Sequence, residues 1–465
     1  MLTSCFPNKY IEEYAMKILI ISPEGRHTAV GKKFKFPFPT AGAPMVAALT
    51  PEGHDIRIID EIVEDINFDE PADIVAISSM TPMASRAYEV AAEFRKRGAK
   101  IIIGGIHPSA CPDEAAQHAD AVIIGEAEDL WPQAVRDAEA GTLQQYYRKD
   151  YLHSLAGLPR PSWELLRTDK YFPITIVETS RGCPHNCDFC AVTTFYGGKY
   201  RTRPVEEVEK EIQWLYARPA LTGLKRFTTP YPKGMIFFAD SNIVANRKYA
   251  KELFTMLAKY KIPWQSYATI SIADDPELLK LAQESNCVGL AIGFESLSGE
   301  NLKKIGKGFN KPEKYAESIK KLKAHGIGII ASFIFGLDWD DVGVFERTKK
   351  FIDDNKIDSS FFLISTPLPG TGYRERLLAE GRIFDHNWDH YDCTHVVFQP
   401  KLMTPEQLSE GVYWLWRQTL SHKSIWKRLY GGSQFMFYIG MNYAMKMLDA
   451  KIHPKHSSNP AIVKT

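Results

Sequence analysis

The chain has 465 residues, 45% of them hydrophobic, with 57 Lys and Arg against 56 Asp and Glu. That length asks for two or three domains, and a balanced charge excludes a global field for gathering nucleic acid or anionic lipid. Seven cysteines, three clustered and four (Cys5, Cys111, Cys287, Cys393) scattered, do not form a disulfide framework and suit a reducing cytoplasm. No basic n-region with an apolar run opens the chain, and no apolar stretch is long enough to span a bilayer.

In chain order, residues 1–15 read as a polar extension and 16–150 as a doubly wound, Rossmann-like parallel sheet. Apolar runs at Lys17–Ser22, Asp55–Asp60, Asp73–Ser79, Lys100–Gly105 and Ala121–Ile124 have the composition of strands buried on both faces, with helical patterns between them at Ala84–Arg97 and Glu126–Ala140. Such a sheet binds ligands at the carboxyl ends of its strands. The first turn, Ser22-Pro-Glu-Gly-Arg-His27, lacks the glycine spacing of a dinucleotide fold, so NAD is disfavoured. Asp60 and Glu61 read as an ordinary strand end. Gly104, Gly105 and Gly125 suit close approach of a large planar or nucleotide-like ligand, and tight turns explain them equally well.

A Pro-rich joint at Leu158–Ser162 lies in a linker, 151–172. Beyond it, 173–383 alternates again: strands at Pro173–Glu178, Met235–Ala239, Trp264–Ile272, Val288–Phe294, Ile327–Phe335 and Ser360–Ser365, with helices at Val205–Ala217, Arg247–Lys259, Pro276–Glu284, Pro312–Ala324 and Val342–Asp354. Six strand–helix units predict a partial (β/α)6 barrel with its site on the loops at strand carboxyl ends.

The first of these strands runs into Arg181-Gly-Cys-Pro-His-Asn-Cys-Asp-Phe-Cys190. Thiols at Cys183, Cys187 and Cys190 can hold three corners of a 4Fe-4S cluster and leave one iron open; a zinc site completed by His185 or a distant His is the competing reading. From 384 to 465 the rhythm gives way to a mainly helical, aromatic-rich region, with helices at Glu410–Leu420 and Gln434–Met447. The Met-rich stretch from Gln434, flanked by lysines, reads either as a core helix on the barrel or as a surface for lipid or an apolar substrate. Peripheral contact with a membrane through this region stays open.

The cysteine loop matches the C-x3-C-x2-C signature of radical S-adenosylmethionine enzymes, with Phe189 at the aromatic position before the last cysteine. Phe238-Ala-Asp-Ser-Asn242, Gly293-Phe-Glu-Ser296, Phe333-Ile-Phe-Gly336 and Thr366-Pro-Leu-Pro-Gly-Thr371 follow in the order of that family's barrel. Upstream, Pro44–Pro51, Gly104-Gly-Ile-His-Pro108 and Gly125-Glu-Ala-Glu128 resemble the cobalamin-binding subclass, and the whole is similar to the subgroup that includes hopanoid C-2 methylases.

The resemblance implies a 4Fe-4S cluster on Cys183, Cys187 and Cys190. It implies S-adenosylmethionine held near Phe189, Asp240, Asn242, Gly293, Glu295 and Ser296, with Glu295 accepting from the ribose or the methionine ammonium unless a Lys or Arg claims it. It implies cobalamin near Gly104, Gly105 and Gly125. His27 is not assigned to cobalt, because Gly25-Arg-His27-Thr-Ala-Val-Gly31 lacks the aspartate of the D-x-H-x-x-G motif. The implied activity is methylation of an unactivated carbon on a small apolar or lipid-like substrate, with electrons from a flavodoxin or ferredoxin. A radical cyclisation, oxidation or rearrangement and an electron-transfer module are the alternatives. No residue that donates hydrogen or a proton to the substrate can be named from the sequence.

Overall fold

The computed structural model describes residues 16–26, 37–217, 230, 231 and 233–452; the expectations for the N-terminal extension and for His27 fall outside them. Strands β1 (Lys17–Ser22), β2 (Asp55–Asp60), β3 (Ile74–Ser78), β4 (Lys100–Gly104), β5 (Ala121–Ile124) and β6 (Tyr146–Arg148) form one sheet in the order β2-β1-β3-β4-β5-β6. Every pairing is parallel. Separate apolar clusters cover its two faces: Ile20, Ala76 and Ile102 pack under Trp131 on one side, and Leu19, Val75 and Ile101 under Phe94 on the other. Burial on both sides is why these strands read as unbroken apolar runs. The order reverses between β1 and β3, and the crevice at that switch point is where such sheets hold ligands.

Strand β7 (Ile174–Val177) opens the second half. A two-stranded antiparallel hairpin, β8 (Ser180–Arg181) with β9 (Arg201–Thr202), then brackets the cysteine loop. Strands β10 (Met235–Phe238), β11 (Trp264–Ala268), β12 (Cys287–Glu295), β13 (Gly328–Phe335) and β14 (Ser359–Ile364) complete a six-stranded parallel sheet in the order β7-β10-β11-β12-β13-β14. Its helix-facing residues, among them Ile236, Trp264, Leu290 and Phe333, build the largest core. This is the expected partial barrel, left open between β7 and β14.

Two expectations are corrected. Strand β11 stops at Ala268, because Ile270–Asp274 turns into a 3-10 helix despite its β-branched sequence. The helix expected from Glu126 begins at Leu130, leaving Glu126 and Glu128 on a loop. Strand β6 and the short helices Gly42–Leu49, Ile106–Ala110 and Pro112–Ala115 had no periodic signal long enough to read.

The C-terminal region is helical from Pro405, whose helix starts in a capping box of Thr404 and Gln407. Helices His422–Leu429 and Phe435–Ile452 close the floor of the barrel, at the opposite end from the cysteine loop. The Tyr438 ring is fully buried and fills the space over Gly289 and Gly328, where an added Cβ would come within 1.9 and 2.2 Å of it. Buried Arg428 ties both helices to the barrel by donating to the carbonyls of Ile357, Asp358 and Thr419 and to Asn442 Oδ1. The Met-rich helix is therefore packed on the barrel and does not line the mouth. Among the described residues no helix is long and apolar enough to cross a membrane.

Candidate radical-generating site

The cysteine loop is held by close backbone approaches on two sides. Gly182 has φ +84°, and a Cβ there would lie 1.9 Å from the carbonyl oxygen of Lys199; Gly306 has φ +73°, and its Cβ would lie 2.4 Å from that of Asn186. Only glycine fits either contact. Asp188 donates its amide to Ile305 O at 3.1 Å, accepts from the Tyr373 amide at 2.9 Å, and pairs its side chain with Arg376. Phe189 packs with Leu363 against Ile305, Ile334 and Leu337, pinning the loop to the barrel mouth.

The three sulfurs do not gather within 4.8 Å of one another or with a fourth donor, as one ion would require. His185 instead stacks on Phe309, with ring centroids 3.8 Å apart. Three thiols that do not meet the spacing of one ion suit a cluster better than zinc. Burial pushes the Cys187 thiol up to about 12, with Lys307 pulling the other way. Cys183 is also raised by burial, against the His185 backbone and the side chain of Asn242.

Glu295 ends β12 on an irregularity: Gly293 pairs with Ser332 and Glu295 with Phe333, so Phe294 is an extra residue, and Glu295 takes φ +62°. A bulge of this kind re-aims a side chain. Glu295 Oε1 accepts from Lys307 Nζ at 2.6 Å, with both side chains buried. Burial opposes the Lys307 charge, but Glu295 holds the ammonium above its ordinary pKa. Glu295 Oε2 is buried and has no hydrogen-bond partner among the described residues. One oxygen of this carboxylate is thus claimed by a lysine, and the other is left without a partner among the described residues. Gly293 is required beneath it, since a Cβ there would lie 2.1 Å from Glu295 Oε1.

The other expected residues take different parts. Asp240 is fully occupied by the chain itself, accepting from the Thr179 amide at 2.8 Å, from the Thr179 hydroxyl and from the Ser180 hydroxyl at 2.6 Å. Burial raises its pKa, and it fixes the turn that leads into the cysteine loop. Asn242 Oδ1 accepts from the Thr269 amide at 3.2 Å. Ser296 Oγ accepts from the Ser298 amide and the Asn301 side chain.

Facing the loop is the carboxyl edge of the first sheet. A cleft of about 320 Å3 runs from beside β1 and β3, past Gly104, Gly105 and Gly125, to Arg181 and Tyr196. Gly105 has φ +108°, and a Cβ there would meet Ser79 O at 2.7 Å; a Cβ on Gly125 would meet no atom within 4 Å and would project into the open space. Arg181 spans the two halves, reaching Glu126 at 2.9 Å, Glu128 at 2.5 Å and Glu178 at 2.7 Å, while Arg201 reaches Glu126 at 2.8 Å. Burial raises the pKa of Glu178, with Arg181 opposing it. Glu128 Oε2 is buried on the wall of this cleft, without a partner among the described residues. Open glycine backbone and an unclaimed acceptor fit a large ligand rich in amide donors. Asp60, by contrast, accepts from Tyr171 at 2.7 Å and Glu61 pairs with Arg86, so neither serves a nucleotide. Sequence reading missed Lys307, which no motif marks, and the ion cluster, whose signal was the pair of acids after Gly125.

A parallel half-barrel with three loop thiols, set against a switch-point cleft, defines the class of cobalamin-dependent radical S-adenosylmethionine enzymes. Family models agree: residues 177–352 match the Radical SAM superfamily and 27–135 the B12 binding domain. The chain is similar to bacteriochlorophyllide d C-12(1)-methyltransferase of Chlorobaculum tepidum, 32% identical with 88% of this chain and 89% of that protein covered. It is also similar to hopanoid C-2 methylase of Rhodopseudomonas palustris, 26% identical over 74% and 65%. The solved cobalamin-dependent radical enzyme OxsB shares the fold, with TM-score 0.68 at 16% identity, covering 94% of this chain and 72% of that one. The chain belongs to the radical SAM superfamily, among its methyltransferase-type enzymes with a B12-binding domain.

Proposed function

We propose that the enzyme methylates an unactivated carbon on a flat, largely apolar small molecule, with a tetrapyrrole-type macrocycle as the favoured substrate. The observation that carries the reading is the placement of Glu295 and the three thiols across the Arg181 ion cluster from the glycine-lined cleft, so that two cofactors share one seam. The macrocycle is favoured by relatives named as bacteriochlorophyllide methyltransferases, at 32% and 29% identity. A lipid-like substrate is the second choice, by similarity to the hopanoid methylase.

When bound, the cluster and S-adenosylmethionine supply one-electron cleavage of the sulfonium to methionine and a 5'-deoxyadenosyl radical, and cobalamin supplies the methyl group. Cys183, Cys187 and Cys190 hold the cluster. Glu295 accepts from S-adenosylmethionine through its free oxygen, and Gly293 leaves room for it. Phe189, Asn242 and Ser296 shape the walls of that pocket, and Asp240 positions the loop. Gly104, Gly105 and Gly125 give cobalamin access to the backbone. Electrons come from a flavodoxin or ferredoxin. Trp426, Tyr430 and Met436, exposed beside Lys423 and Lys427, give the floor of the barrel a face suited to peripheral membrane contact.

The test is anaerobic: cluster-loaded protein, reductant, S-adenosylmethionine and a bacteriochlorophyllide, with and without cobalamin, assayed for 5'-deoxyadenosine and S-adenosylhomocysteine. Both products, dependent on cobalamin, are expected. Deoxyadenosine alone would replace methylation with a cyclisation, as in relatives named as anaerobic magnesium-protoporphyrin IX monomethyl ester cyclases, at 24% and 23% identity. Neither product would leave an electron-transfer module.

A further inference from the structure

Cys111 is one of the scattered cysteines, yet the chain folds it against a histidine and a glutamate. Strand β4 ends at Gly104, and the short helices Ile106–Ala110 and Pro112–Ala115 follow, with Cys111 as the joint between them at φ −130° and ψ 58°. His107, Cys111 and Glu114 fall at i, i+4 and i+7, spacings that return a side chain to one face of a helical path. Cys111 donates its amide to His107 O at 2.8 Å, which keeps the two on successive turns. One donor atom from each residue, a ring nitrogen, the thiol sulfur and a carboxylate oxygen, lies within 4.8 Å of the other two, and among the described residues this is the one group of its kind.

The surroundings are those of a held ligand set. His107 is fully buried and stands edge-on to Trp388, with ring centroids 5.2 Å apart, and its Nε2 lies 3.3 Å from Glu114 Oε1. The other ring nitrogen, Nδ1, is buried with no hydrogen-bond partner among the described residues. Glu114 is aimed by two outer donors: the Tyr88 hydroxyl donates to Oε1 at 2.9 Å, and the Trp388 indole N–H reaches Oε1 at 3.0 Å and Oε2 at 3.1 Å. Carboxylates that ligate a metal are fixed by donors of this sort. A hydrogen-bonded His–Glu pair alone accounts for neither the orphaned Nδ1 nor a thiol brought to the same point. The Glu114 side chain is 36% exposed, which gives an ion a way in.

We propose that His107, Cys111 and Glu114 bind one zinc ion, with water in the fourth position. Thiolate and imidazole select zinc over calcium or magnesium, which take oxygen ligands, and the thiolate and carboxylate together cancel the charge of the ion. Tetrahedral zinc sets its ligand atoms roughly 3.3–3.6 Å apart, so closure from 4.8 Å takes about 1 Å of side-chain movement. The Cys111 proton leaves to solvent as the zinc–sulfur bond forms. The ion braces a corner of the glycine-lined cleft. On the same short helix Ser109 Oγ donates to Gly105 O at 2.7 Å and accepts from the Gly125 amide at 2.9 Å, so fixing the Cys111 joint fixes both glycines, and Trp388 ties the joint to the C-terminal region. The site is separate from the three thiols of the cysteine loop and does not rest on the methylation reading.

Cluster-loaded protein, stripped of loose metal and then given zinc, is read by elemental analysis and by zinc K-edge X-ray absorption, to which the iron of the cluster is silent. About one zinc per chain is expected, in a shell of one sulfur near 2.3 Å and lighter atoms near about 2.0–2.1 Å. Cys111→Ser should take the sulfur out of the shell and weaken zinc, against a competing chelator, by more than the roughly 10- to 100-fold that loss of an outer donor costs. Tyr88→Phe keeps all three ligands and should weaken zinc about tenfold with the shell unchanged, so the assignment does not hang on one variant. Wild-type protein without zinc, a shell of two or more sulfurs, which would seat the ion in the cysteine loop, or a Cys111→Ser protein that holds zinc as wild type does, each overturns the proposal.

Discussion

The Glu295–Lys307 pair makes a quantitative demand on the barrel mouth. The charged atoms are 2.6 Å apart, and the side chains are 8% and 11% exposed. At an effective dielectric of about 20 their attraction is roughly 6 kcal/mol, most of it offset by the cost of taking both charges out of water. Removing one partner leaves the other charge stranded, at about 3–5 kcal/mol. Glu295→Leu and Lys307→Met should therefore each lower Tm by roughly 6–20 °C, taking about 2–4 °C per kcal/mol for a unit of this size. The double variant should recover much of that loss, since an apolar pair strands nothing. Anaerobic thermal melts of all four proteins close the cycle. A double variant that loses the sum of the single losses would refute the reasoning, because the two side chains would then act independently. Glu295→Gln, which keeps the shape, should weaken S-adenosylmethionine binding about tenfold or more by equilibrium dialysis, as expected for loss of a hydrogen bond to a charged group.

Cys187→Ala should abolish the visible iron–sulfur absorbance of anaerobically reconstituted protein. Cys287→Ala should leave it intact, because that thiol opens β12 at the other end of the barrel, and equal spectra from the two variants would overturn the ligand assignment. Asp340 gives the protein a pH signature. Burial pushes its carboxyl from 3.8 up to about 7, against hydrogen bonds from Leu337, Gly336 and Asn301. Between those values the folded chain keeps a proton that the unfolded chain releases, so this group's contribution to stability falls as pH rises through the window and levels off above about 7. Asp340→Asn should flatten that part of the Tm-against-pH curve; an unchanged slope would assign it to other groups.

Much of the fold was legible because both sheets are parallel and their central strands are largely buried, which leaves runs such as Lys17–Ser22 and Ile327–Phe335 unmistakable. Short elements were not: β6 spans three residues and the helix at Pro112 four, below any periodic signal. The cysteine loop and Glu295 were readable as motif positions, yet their supports were not. Lys307 reaches Glu295 from twelve residues on, and Arg181 meets Glu126 and Glu128 from the other sheet, relations that only the packed chain creates. Asp240 was assigned to the pocket by the resemblance of Phe238-Ala-Asp-Ser-Asn242 to a family element; its carboxylate is taken up by the neighbouring turn.

The two glycine contacts that grip the cysteine loop have a bearing on how the protein is assembled. Gly182 against Lys199 and Gly306 against Asn186 are backbone-to-backbone contacts, and they shape the loop through the protein alone. A zinc finger folds because its metal arrives; here the receptacle is finished first. Iron and sulfide should then meet a site that needs little ordering, and their loss to oxygen should leave the loop in place. An oxidised sample should therefore keep its melting transition and its resistance to protease, and remain competent for repair by renewed cluster delivery without passing through the unfolded state.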